Sequence, residues 1–258
     1  MIEAFIGRAV LVAFRVGGLM SFAPFFSNAS VNFRVKAVFT IALTVLLLPV
    51  YSSPESVLVP SSAASWGAVA LSEAALGVAI GLIVQFVFDG MQLAGQIISF
   101  QFGFSLVNII DPNTQVEITV LSTLHDLATL LIFMQLGVHR WVLRAVAASF
   151  QLIPAGTLPS IALRAPDLLR LATSMWLIGA EIAFPVLLAT MLTDLTVGFI
   201  SKASPQFPAL FFGISVKFLL GVAVLYGVFA YWPGLLERDF FHALTHLETF
   251  LSNLRGGG

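Results

Sequence analysis

Long apolar runs broken by isolated charges set the pattern of this chain. They cover residues 3–24, with Arg8 and Arg15 inside, and 37–48, flanked by Arg34 and Lys36 and ended by Pro49. A third runs over 66–104 with Glu73 and Asp89 in it, and three more over 118–138, 168–200 and 207–232. A bilayer crossing needs roughly 20 mostly apolar residues, a length several of these runs reach. The pattern therefore predicts an all-α, polytopic membrane protein. Stretches rich in Pro, Ser and Asn mark the connectors at 52–65, 108–114, 154–166 and 201–208. In the tail 237–255, Phe240, Phe241, Leu244, Leu247 and Leu251 recur at helical spacing, which predicts a short amphipathic helix that packs or lies at an interface. No internal repeat divides the sequence, so 1–258 reads as one all-helical domain with 237–258 as its amphipathic tail. Ser21-Phe22-Ala23 is a weak cleavage site, but Glu3 precedes Arg8 and a basic start is missing, so the first run reads as a retained helix.

Composition strengthens the membrane reading. Of 258 residues, 59% are apolar and 10% charged, with 24 Phe, whereas soluble domains carry roughly 25% charged residues. A net charge of −1 excludes a strongly basic nucleic-acid binder. The lack of cysteine excludes a disulfide framework and thiolate chemistry. Charge bias then raises a conflict. If the Arg34/Lys36 connector is cytoplasmic, strict alternation of six spans puts the basic stretch with Arg140, Arg144, Arg164 and Arg170 outside, and 103–117, without Lys or Arg, inside. At least one segment should therefore not cross in the ordinary way, and 103–117 is the first suspect, since its Gly, Ser, Asn and Asp-Pro suit irregular backbone shielded by protein or water.

Catalytic motifs are scarce: the phosphate-binding loop, the paired-histidine metal helix and the nucleophile elbow are all missing from the sequence. His242 and His246 have metal-compatible spacing, but a polar helix face is the plainer reading. No cofactor is expected. The intramembrane ionisable residues Glu73, Asp89, Glu181, Asp194 and Lys217 are more informative, because inserting them is costly. At 100° per residue, Glu73 and Asp89 differ by about 160° and Glu181 and Asp194 by about 140°, so neither pair shares a helix face. That favours partner pairing, for example Lys217 with Asp194, over a proton relay.

One polar line is well formed. Gln85, Asp89, Gln92, Gln96, Ser99 and Gly103 follow at steps of four, three, four, three and four, on one side of an otherwise apolar helix. Such a line is expensive against lipid and should face protein or a water-filled path. Earlier in the same run, Gly77 to Gly81 allows close helix approach.

From 23 to 217 the sequence resembles the FliR family of flagellar export-gate proteins. The resemblance rests on stations in order: Ala23-Pro24 through Arg34-Val35-Lys36; Glu73 with Gly77 and Gly81; Gln85-Phe86; and Gly95-Gln96-Ile97-Ile98 with Gln101-Phe102-Gly103-Phe104-Ser105 and Asp111-Pro112. His139, Trp141, Ser149-Phe150 and Pro154 continue it, then Pro185 with Asp194 and Gly198, and Lys202 through Pro205-Gln206. It departs from the family at Gly137-Val138, where Asn-Gly is frequent, at Asn32, where Pro is usual, and at Asp89, which is not part of the pattern.

The resemblance implies a non-enzymatic inner-membrane subunit at the flagellar basal body. It implies helical hairpins stacked in a spiral with FliP- and FliQ-like subunits, a bound FlhB-like subunit, and passage of unfolded flagellar substrates. It also implies that the loop following the Gln-x-Gly-x-Ser signature plugs the closed pore. The matching positions are Gly103, Phe104, Ser105, Leu106, Val107, Asn108, Ile109, Ile110, Asp111 and Pro112, with Leu106 and Ile109 as the bulky plug residues. Virulence-type homologues share that fold, and flanking genes would separate them from the flagellar reading. A small secondary transporter would show inverted repeats, which are not seen here.

Overall fold

The computed structural model describes residues 2–24, 32–51, 62–104, 120–157, 165–204, 206 and 208–255. These residues form helices α1 (Ile2–Phe22), α2 (Phe33–Tyr51), α3 (Ala63–Gln101), α4 (Val120–Gln135), α5 (Val138–Leu152), α6 (Ala165–Ala203), α7 (Ala209–Phe229) and α8 (Trp232–Arg255), and no strand is present among them. The fold is all-α, as the pattern of apolar runs requires.

Four helical stretches are long and apolar enough to cross a membrane: Phe5–Phe22, Ala63–Gln101, Ala172–Ala203 and Phe212–Phe229. A fifth is possible if α4 and α5, bent by 69° at their junction, count as one broken span. Six ordinary spans are thus not found among the described residues. α4 has 16 residues, about 24 Å at 1.5 Å per residue, which is short of a hydrocarbon core of roughly 30 Å. The bend sits at Gly137, whose φ of 68° is left-handed and suits a residue without Cβ. One expectation is corrected: the basic stretch expected as a connector is α5. It buries Val142, Val146 and Phe150 along one stripe and leaves Arg140 and Arg144 exposed.

Each of α3 and α6 contains 39 residues, or roughly 58 Å, nearly twice a hydrocarbon thickness. Neither Gly77 and Gly81 in α3 nor Pro185 in α6 breaks its helix. The tail helix begins at Trp232, five residues before the predicted start. It buries Phe240, Leu247 and Leu251 as its spacing predicts, while Phe241 lies outside that stripe at 61% exposure.

Contacts divide the chain into two compact units. One holds Met1–Val87, Phe133–Ala172 and Phe240–Gly258, the other Phe88–Ile132 and Thr173–Asp239. In the first unit, α1 and α3 touch through glycines. A Cβ on Gly77 would overlap the backbone of Arg15, and one on Gly18 the backbone of Ala74. In the second, α3 meets α4 where a Cβ on Gly95 would lie 2.5 Å from Ser122 Cα, and it meets α6 where one on Gly90 would lie 2.9 Å from Ile178 Cβ. Small residues at these points let helices approach to backbone contact.

Candidate functional site

In the first unit, Glu73 answers Arg15. Its Oε2 accepts from Arg15 Nε at 2.6 Å, with both side chains fully buried. Arg15 also donates from Nη1 to Ser149 Oγ at 3.2 Å and from Nη2 to the Ile153 carbonyl at 3.0 Å, and its guanidinium lies 4.2 Å from the Phe150 ring centroid. The second carboxylate oxygen accepts from the Gly156 N–H at 2.9 Å, and Gly156 sits at a left-handed φ of 91°. A buried charge is tolerated when paired and hydrogen-bonded, and this network supplies both conditions. It ties α1, α3 and the exit from α5 together.

In the second unit, α3 ends where the segment that the family resemblance implies is a plug begins. The Gly103 N–H donates to the Phe100 carbonyl at 3.1 Å and the Phe104 N–H to the Ser99 carbonyl at 3.2 Å, with Gly103 at φ 83°. This pair of bonds is the Schellman arrangement, which stops a helix at a left-handed glycine. Around the stop, Phe102, Phe104 and Phe218 form an aromatic cluster, with centroid distances of 5.4 Å for Phe102–Phe218, 6.2 Å for Phe104–Phe218 and 6.5 Å for Phe102–Phe104. Gly221 on α7 makes room for the Phe102 ring, since a Cβ there would collide with it. One turn before Gly221, Lys217 donates to Asp194 Oδ2 on α6 at 2.7 Å and to Gln101 Oε1 on α3 at 3.4 Å. The last residue of α3 is thereby tied to α6 and α7.

Glu73, Glu181, Asp194 and Lys217 are thus paired across helices. Lys217 with Asp194 is the expected pair. Glu181 accepts both terminal nitrogens of Arg238, at 3.2 and 2.7 Å. Hydrogen bonds to Glu181 first and Asp239 next hold the Arg238 guanidinium above its ordinary pKa. The polar line falls on a single helix, but its surroundings vary: Gln85, Asp89 and Gln92 are half-buried, Gln96 exposed and Ser99 buried. Of the plug positions, Gly103 is half-buried and Phe104 exposed, whereas Ser105, Leu106, Val107, Asn108, Ile109, Ile110, Asp111 and Pro112 lie outside the described residues.

Sequence reasoning noted Arg15 but gave it no partner, named Ser149 only within the family resemblance, and missed the Ile153 carbonyl, Gly156 and Arg238. An arginine inside an apolar run demands a buried acceptor, and Glu73, on the adjoining glycine-rich helix, was the signal available.

The family model for bacterial export proteins, family 1, matches residues 6–243. The flagellar biosynthetic protein FliR of Escherichia coli K12 is 26% identical over 240 residues, covering 93% of this chain and 91% of that protein. FliR of Bacillus subtilis is 25% identical, with 84% and 83% covered, and that of Aquifex aeolicus 23% identical, with 86% and 85% covered. With a family match spanning nearly the whole chain and apolar helices that suit several crossings, the chain belongs to the FliR family and is a multi-pass inner-membrane component of the flagellar export apparatus at the basal body.

Proposed function

We propose that the chain helps form the inner-membrane channel through which unfolded flagellar substrates leave, and that the segment after Gly103 keeps this channel closed. Its role is structural rather than enzymatic. The observation that carries the reading is the anchor at the end of α3: a glycine stop, three phenylalanines and the Lys217 bridge hold the point from which the candidate plug departs. A plug works only if its root is fixed, because a gate that excludes water needs apolar side chains held across a narrow opening. Leu106 and Ile109 supply such side chains. The polar line Gln85, Asp89, Gln92, Gln96 and Ser99 then faces the conduit or neighbouring subunits.

FliP-like and FliQ-like subunits complete the channel in a helical stack, and an FlhB-like subunit binds it. Large exposed side chains such as Leu131, Phe199 and Tyr226 then meet lipid or those subunits. The flagellar reading is favoured over the virulence type because the relatives described above are flagellar proteins.

The test measures ion leak in cells or liposomes carrying the assembled complex. Leu106→Gly with Ile109→Gly, or deletion of 106–110, is expected to raise leak. Unchanged conductance in an intact assembly refutes the plug.

A further inference from the structure

We propose that the groove between α5 and α8, in the first unit, binds the headgroup of a zwitterionic phospholipid, with its phosphate at Arg144 and its ammonium at Glu248. The groove encloses about 330 Å³, with Arg144 and Trp141 on the α5 side and Glu248 and Phe241 on the α8 side. Ala145 and Ala148 line it from α5, and their short side chains leave the space open.

Charge selects the occupant. Arg144 and Glu248 are both exposed, and among the described residues neither is matched by an ion pair or side-chain hydrogen bond. An anion alone in the groove meets Arg144 but is opposed by Glu248, and a cation alone meets the reverse. A headgroup carrying both signs satisfies the two walls together. Arginine presents a planar fork suited to phosphate oxygens, and a carboxylate accepts from the N–H groups of a primary ammonium.

Trp141 suits the depth at which such a headgroup sits. Trp and Tyr gather at the membrane–water boundary, where an apolar body meets lipid while a polar edge stays wet. Phe241, 61% exposed, and Trp141 extend the groove's apolar wall. Both helices are amphipathic, with one apolar stripe buried and a polar face left open.

The experiment measures lipid retention by native mass spectrometry on the full-length chain, purified with its co-purifying subunits. After delipidation, the sample is offered phosphatidylethanolamine, phosphatidylcholine or phosphatidylglycerol at equal concentration. Phosphatidylethanolamine is expected to be retained about tenfold over phosphatidylglycerol, with phosphatidylcholine between them because its quaternary ammonium offers Glu248 charge but no hydrogen bond. Glu248→Gln is expected to abolish the preference and Arg144→Gln to lower retention of all three. Ala148→Phe, which fills the groove and keeps both charges, should also abolish retention, so the result does not hang on the charge variants alone. Equal retention of the three lipids, or retention indifferent to all three variants, overturns the proposal. So does a photo-cross-linker at Thr245 that labels a protein subunit instead of lipid.

Discussion

Replacing Glu73 with Gln should be among the most damaging single changes in the first unit. The substitution keeps side-chain shape and leaves an oxygen for the Gly156 N–H, but it strips the negative charge facing Arg15 at 2.6 Å. Arg15 has no route to water, since its side chain is fully buried, and its remaining partners, Ser149 Oγ and the Ile153 carbonyl, are neutral. Leaving one charge of a buried pair uncompensated costs about 3–5 kcal/mol. At roughly 2–4 °C per kcal/mol for a chain this size, the midpoint of thermal unfolding should fall by about 6–20 °C. The assay is thermal unfolding of the detergent-solubilised full chain, followed by intrinsic fluorescence. Arg15→Met should cost a similar amount, by stranding Glu73. The double variant Arg15→Met with Glu73→Gln should recover much of the loss, because it removes the buried charge altogether. If Glu73→Gln shifts the midpoint by less than about 2 °C, or the double variant simply adds the two losses, the network is not a charge-paired clamp and the reasoning fails.

Further outcomes can be checked alongside. Gly77→Val should destabilise by about 1–3 kcal/mol or more, because its Cβ would overlap the Arg15 backbone. Gly67→Ala, with nothing within 4 Å of the added carbon, should be neutral or stabilise by up to about 1 kcal/mol in the same unfolding measurement. Glu181→Gln should change stability by less than about 1 kcal/mol, since both partners of its pair with Arg238 are half exposed to solvent. Lys217→Ala should leave the fold intact but raise ion leak of the assembled complex, by less than deletion of 106–110 does. Leak equal to wild type would detach the Lys217 bridge from gating.

The fold was legible in proportion to how apolar each run is. α1, α3, α6 and α7 follow from length and hydropathy, and the glycines and proline within them do not interrupt them. α5 was hidden because its exposed face carries Arg140 and Arg144, which count as connector residues in a hydropathy reading although Val142, Val146 and Phe150 recur at helical spacing. Lys217 with Asp194 was legible because a lysine in an apolar run must find a carboxylate, and the neighbouring run offered one. Arg15 with Glu73 obeys the same rule but joins residues 58 apart in sequence, with α2 between them, so spacing along one helix could not reveal it. The Gly103 stop was visible as a glycine at the end of a polar line. The collar of Phe102, Phe104 and Phe218 was not, since it needs the register of α3 against α7.

The central claim, that export substrates pass the segment rooted at Gly103, is tested most directly by site-specific photo-cross-linking. A cross-linking amino acid is placed at Phe104, Leu106 or Ile109, with Tyr226, 84% exposed on α7, as the control, in cells where a flagellar substrate is stalled in transit by a folded fusion domain. The account predicts cross-links to the stalled chain from the three positions at and after the anchor and none from Tyr226. Substrate that stalls in the apparatus yet labels none of the three contradicts it.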